Sequence, residues 1–170
     1  MLKNLEKKKP TAKKALKSKK EEKENLLEIE NILHFAIEGI LNKKGLDVVC
    51  IDLKKINSSV CDYFVICHGT SNTHVNALAD SVEDEVRNNT GQKPTYREGF
   101  ANAEWILLDF IDVVVHIFQE DIRNFYKLES LWADAPIKKI EPSKPAEVKP
   151  KVIKPKTVSA KKKVAEKSKK

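Results

Sequence analysis

The stretch that most limits what this chain can become runs from Ala103 to Trp132, AEWILLDFIDVVVHIFQEDIRNFYKLESLW. It reads as strand, tight turn, strand and amphipathic helix. On the first strand, period-two alternation puts Trp105, Leu107 and Asp109 on one side and Ile106, Leu108 and Phe110 on the other. A second strand, Asp112–Phe118, returns antiparallel. The helix expected over Glu120–Trp132 points Ile122, Phe125, Leu128 and Trp132 inward at helical spacing, and Pro136 stops it. Eight of the eleven aromatic residues lie between Tyr96 and Trp132, both tryptophans among them. Any working surface is expected here.

Upstream, Asn25–Lys43 carries apolar residues at 26, 29, 33, 36, 37 and 40, which predicts a helix with one buried face, and Gly45 stops it. Leu46–Leu53 and Cys61–His68 are short β-branched or aromatic runs without clean alternation, as in strands covered on both faces. A helix follows from Thr70 or Ser71 as N-cap to about Asn89. Pro94–Arg97 suits a short edge strand. The expectation is an α/β fold, a mixed sheet of about five strands flanked by helices, over residues 25–137.

The formal net charge of +7 is unevenly spread. Residues 1–24 hold ten Lys and four Glu, and 138–170 hold thirteen Lys and three Glu; the rest holds nine cations and eighteen anions. An acidic globule thus carries two basic arms. Its surface is ill suited to a broad phosphate-binding face, whereas the arms suit one. Both arms are too poor in apolar residues to offset their ordering entropy and are expected to be disordered, with transient helix through Leu16–Glu24 and extended Lys-Pro repeats after Lys138.

Cys50, Cys61 and Cys67 are odd in number, form no CxxC and sit in apolar runs, so buried free thiols in a cytoplasmic protein are expected. No secretory signal and no membrane-length apolar run is read.

Four constellations could carry chemistry. Gly69-Thr70-Ser71, at a strand-to-helix junction, could hold an anion, but it lacks a phosphate-loop pattern and reads as a helix cap. Asp109 and Asp112 flank the hairpin tip and could share a divalent metal; no phosphate cradle or third carboxylate accompanies them, and Asp is common in turns. His34, His68, His74 and His116 show no metal-ligand spacing with one another or with the cysteines, so neither metal nor cofactor is expected. His116 suits a packed, hydrogen-bonded core position. The aromatics Trp105, Phe110 and Tyr126 are expected to be exposed: Trp105 follows a polar loop, Phe110 sits at a hairpin tip, and Tyr126 points away from the inward stripe. Clustered exposed rings mark a protein contact.

In order and spacing, LDVVCIDL, CDYFVICHGTSNTHVNALAD, REG, AEWILLDFIDVVVHIF and RNFYKLESLW resemble the ribosomal silencing factor family, also called Iojap-related. The resemblance spans roughly Leu26 to Asp134. It implies a fold related to nucleotidyltransferases without their catalysis. It further implies binding to the large ribosomal subunit at its fourteenth protein in universal naming, obstruction of small-subunit joining, and repression of translation. By position it places the contact surface at Trp105, Asp109, Phe110 and Tyr126, with Glu98, Gly99, Asp112 and His116 in supporting roles. The hairpin tip departs from the family's Asp-x-Gly-Asp: here it reads Asp109-Phe110-Ile111-Asp112, with Ile where Gly would admit positive φ cheaply. The other reading is a nucleotidyltransferase-like enzyme using Asp109 and Asp112 with a divalent metal. Contact of the arms with ribosomal RNA, and a homodimer of the free protein through the same aromatics, are further expectations.

Overall fold

A computed structural model of the chain describes residues 12–56 and 59–141, with side chains from residue 21 onward. Helix α1 (Ala12–Asn42) leads into strands β1 (Leu46–Asp52) and β2 (Tyr63–Gly69), helix α2 (Asn72–Thr90) and the three-residue strand β3 (Tyr96–Glu98). The hairpin β4 (Trp105–Asp109) and β5 (Val113–Gln119) follows, then the short helices α3 (Glu120–Tyr126) and α4 (Leu128–Leu131), and strand β6 (Ile137–Ile140). The six strands lie in the order β3-β4-β5-β2-β1-β6. The β2–β5 pair is parallel and the other four pairings are antiparallel.

The two faces of this sheet are covered differently. Helices α1 and α2 lie on one face. Ile29, Ala36 and Ile40 of α1 and Val75, Leu78, Ala79 and Val82 of α2 pack against Val65, Ile106, Leu108, Val115 and Ile117 of the strands. Ser71 caps α2, its hydroxyl accepting the His74 amide at 3.2 Å, and Gly91 ends it in the left-handed region. On the opposite face Ile51, Leu53, Phe64, Ile66, Val114 and Phe118 form a smaller cluster, with Trp105, Leu107, Ile122, Leu128 and Trp132 packed partly against it.

Three sequence expectations change. The first helix starts at Ala12, inside the segment expected to be a disordered arm. Residues 12–24, AKKALKSKKEEKE, are nearly all strong helix formers, so intrinsic propensity carries the helix upstream of its apolar face. The sheet has six strands, because Ile137–Ile140 pairs with β1 from Val48 to Ile51 and draws Lys138 and Lys139 out of the expected C-terminal arm. A Lys-bearing edge strand also discourages pairing with other chains. The rest of that arm, residues 142–170, and residues 1–11 lie outside the described residues. Finally, the last helix is two helices. Lys127 adopts φ 47°, ψ 51°, which breaks the run after Tyr126. Phe125, in α3 ahead of the break, does not join the expected inward stripe and is 78% exposed.

The break is clipped across. The Arg123 guanidinium donates to Glu129 Oε1 through Nε at 2.8 Å and Nη2 at 2.6 Å, and through Nη1 to His68 Nδ1 at 3.0 Å. Burial, and then the Arg123 charge, lower the His68 pKa, consistent with a neutral ring accepting that bond.

Candidate functional site

Register decides which of the expected site residues share a face. Trp105 pairs with Phe118, Leu107 with His116 and Asp109 with Val114. On the outer side Tyr96 pairs with Asp109 and Glu98 with Leu107. Directly paired residues point the same way. Tyr96, Glu98, Trp105, Leu107, Asp109 and His116 therefore all lie on the face that α1 and α2 do not cover.

Trp105 is the centre of this face. Its indole stacks on Phe118, with centroids 4.8 Å apart and planes at 25°. Tyr126, the last residue of α3, leans against it at 5.1 Å and is itself 49% exposed. Phe125 meets Tyr126 edge-on at 5.1 Å. The Trp105 Nε1–H donates to His116 Nδ1 at 3.3 Å. An indole nitrogen can only donate, so Nδ1 is the acceptor and the imidazole proton sits on Nε2. His116 is buried, with Phe64 edge-on at 4.7 Å, and burial lowers its pKa to about 4. Its expected core position is met.

The loop before β4 is shaped to fit under Trp105. Gly99 has φ +90°, and a Cβ there would fall 1.9 Å from the Trp105 carbonyl oxygen. No other residue type fits that approach. Its neighbour Glu98 is exposed and accepts the Tyr96 hydroxyl at 3.0 Å.

Phe110 is the correction among the site residues. Expected to be exposed at the hairpin tip, it is 5% exposed and belongs to the core on the helix-covered face, with Ile106 and Leu108. The pleat of β4 simply continues one residue past the strand. Phe110 N–H bonds the Val113 carbonyl at 2.9 Å and the Asp112 N–H bonds the Phe110 carbonyl at 3.0 Å. Ile111 takes the tip, with φ 74° and 64% exposure. Positive φ is thus retained at a β-branched residue, a strained choice. Asp109 helps to hold it: its Oδ1 accepts the Ile111 amide at 2.7 Å.

That bond also bears on a metal reading of the tip. One Asp109 oxygen is engaged by the turn. Asp112 is pushed above the usual carboxylate range by burial and by the nearby Asp62 and Glu28 charges. Among the described residues no three His, Cys, Asp or Glu side chains gather as a metal site. At the Gly69-Thr70-Ser71 junction the Thr70 amide donates to His74 Nδ1 at 3.1 Å, and the Ser71 hydroxyl caps the helix. The three cysteines are free and buried, and desolvation raises each thiol pKa, to about 11, 11 and 12 for Cys50, Cys61 and Cys67.

Sequence reasoning does not reach Tyr96 as a member of the face. Alternation already placed Leu107 beside Trp105. Tyr96 needed the β3–β4 register, which the sequence does not print.

A mixed six-stranded sheet with α1 and α2 on one face, and α3, α4 and half-covered rings on the other, defines an α/β protein. A family model described as "Ribosomal silencing factor during starvation" matches residues 26–169. A Bacillus subtilis protein named Ribosomal silencing factor RsfS is 41% identical over 112 residues, covering 66% of this chain and 93% of the relative. A Haemophilus influenzae protein of the same name is 38% identical over 102 residues, 60% of this chain and 98% of its own length. More distantly, the mouse protein named Mitochondrial assembly of ribosomal large subunit protein 1 is 27% identical over 96 residues, 55% of this chain and 42% of that protein. A crystal structure of a Chromobacterium violaceum protein superposes with a TM-score of 0.58 at 33% identity, covering 69% of this chain and 97% of the other. The chain belongs to the ribosomal silencing factor family. The family's name describes a regulatory task. No helix among the described residues is long and apolar enough to cross a membrane.

Proposed function

We propose that this protein is a non-catalytic anti-association factor of the cytoplasm. It docks on the large ribosomal subunit, at the fourteenth protein in universal naming, and obstructs joining of the small subunit, so translation falls. The observation that carries this reading is the pair Trp105–Tyr126, 5.1 Å apart and half covered, on the sheet face that α1 and α2 leave open. Partly buried aromatic rings of this kind contribute much of the energy of protein contacts. Glu98 and Asp109 bring carboxylates to the same face, and they suit the basic side chains in which ribosomal proteins are rich. Membership of a family named for silencing ribosomes, and a mouse relative named for assembly of the large subunit, point to the same partner. Phe110 has no part in the contact, because it faces the helices.

Sedimentation with separated ribosomal subunits tests the reading. The protein should travel with the large subunit and delay its joining to the small one, and Trp105→Ala should weaken binding by about 2 kcal/mol, roughly thirtyfold. Equal sedimentation of wild type and a folded Trp105→Ala protein would remove this face from the contact. The same face could pair two free copies; a dimer that dissociates on adding large subunits would show competition for it. The basic arms add salt-dependent contacts to ribosomal RNA in this reading. Because Ile137–Ile140 is a strand, the informative truncation begins after Glu141. It should flatten the salt dependence of subunit binding and leave the globule folded.

A further inference from the structure

We infer that His116 is a positioning residue for docking: its Nδ1 holds the Trp105 indole in the orientation the partner meets. The inference deepens the docking reading and rests on it. Three observations carry it. The Trp105 Nε1–H is directed at Nδ1 across the β4–β5 pair, at 3.3 Å, and this is the ring's polar anchor. The Trp105 ring is otherwise held by contacts that tolerate sliding, with Phe118 stacked at 4.8 Å and Tyr126 tilted at 5.1 Å. Then His116 Nε2 is buried with no hydrogen-bond partner among the described residues.

The last observation is the informative one. A buried donor without a partner is destabilising, and an apolar ring of similar size would avoid the cost. His116 sits edge-on to Phe64 at 4.7 Å and stacked with Phe118 at 6.2 Å, surroundings that a phenylalanine would suit. For stability alone, an apolar ring is the better choice. What a histidine adds here is an acceptor at Nδ1, aimed at the indole. The neutral ring needed for that role follows from its burial. A residue kept at a cost to the core, whose one satisfied polar atom points at the centre of the candidate docking face, serves that face.

The test compares the full-length protein with His116→Phe and His116→Gln. Phenylalanine fills the volume and removes the acceptor; glutamine offers a carbonyl oxygen within reach of the indole. The first readout needs no ribosome. In a Trp132→Phe background, the Trp105 indole N–H is followed by NMR. It should exchange slowly with solvent in wild type and His116→Gln, and faster in His116→Phe. The second readout is co-sedimentation with large ribosomal subunits. His116→Phe should bind roughly three- to tenfold more weakly, the range expected for one hydrogen bond, while melting no lower than wild type. His116→Gln should recover most of the binding. Unchanged indole exchange in His116→Phe, or full binding by a folded His116→Phe protein, overturns the inference. If wild type itself sediments with neither subunit, the docking reading fails, and the indole exchange alone decides whether His116 holds Trp105.

Discussion

The two faces of the sheet solve different problems with the same strands. Along β4 the side chains alternate: Ile106 and Leu108 are fully buried beneath α1 and α2, while Trp105, Leu107 and Asp109 on the other side are only half covered. One face is closed by two long helices. The other is closed near β1 and β2 by Leu53, Cys61, Ala135 and the α3–α4 segment, and is left open toward β3. Under the docking proposal, cohesion and recognition are separated by a single-residue step along one strand. A substitution on the closed face should change how much protein is folded; one on the open face should change what the folded protein binds.

Phe110 offers the sharpest attempt to break that division, because its place at a hairpin tip suggests the open side. If it belongs to the closed face, Phe110→Ala costs about 3–5 kcal/mol of stability. Urea unfolding would measure this, and binding per folded molecule should be unaffected. A stable Phe110→Ala protein that no longer binds would erase the distinction.

The floor of the open face should show itself in acid. Burial holds His116 near pKa 4, below its ordinary 6.5, so the unfolded chain takes up the proton first. The contribution is fully present above pH 6.5 and is lost as pH falls toward 4. It amounts to at most about 3 kcal/mol. Unfolding free energies at pH 7 and pH 4.5 should therefore converge in His116→Phe relative to wild type. An identical acid dependence in the two proteins would place the sensitivity elsewhere.

The faces meet at the tip, where Ile111 carries φ 74°. Ile111→Gly should relieve strain and raise stability by roughly 1 kcal/mol, visible as a higher Tm, with docking unchanged because the rings lie at the other end of β4. A lower Tm would mean that the exposed isoleucine packs against something. Smallest of all, Phe125→Ser at the rim should alter stability by less than about 0.5 kcal/mol. A larger loss would show that the α3–α4 segment is held by that ring.

The division was legible in part. Alternation across Trp105–Asp109 assigned every β4 side chain to its correct face, Phe110 included. The exposure expected for Phe110 came from a different argument, that tips are hard to bury. It failed because a tight turn centred on Ile111 lets the pleat run one residue further. The inward stripe from Ile122 to Trp132 assumed an unbroken helix. Nothing in Tyr126-Lys127-Leu128 announces a left-handed lysine, since the Arg123–Glu129 clip that spans it depends on tertiary placement. Position groups Trp105, Phe110 and Tyr126 as neighbouring exposed rings; the structure brings Trp105 and Tyr126 into contact and sends Phe110 to the other face. His116 could be read as a core histidine, but its bond to Trp105 required the register of two strands. Strand β6 escaped notice because IKKI beside a lysine-rich arm carries no alternation.

The open face lies beside β3 at one border of the sheet, whereas the chain departs after β6 at the opposite border, about 24 Å away at five interstrand spacings. Strand β6 thus ends the described chain on the flank farthest from β3, and the border beside Trp105 and Tyr126 stays clear of it.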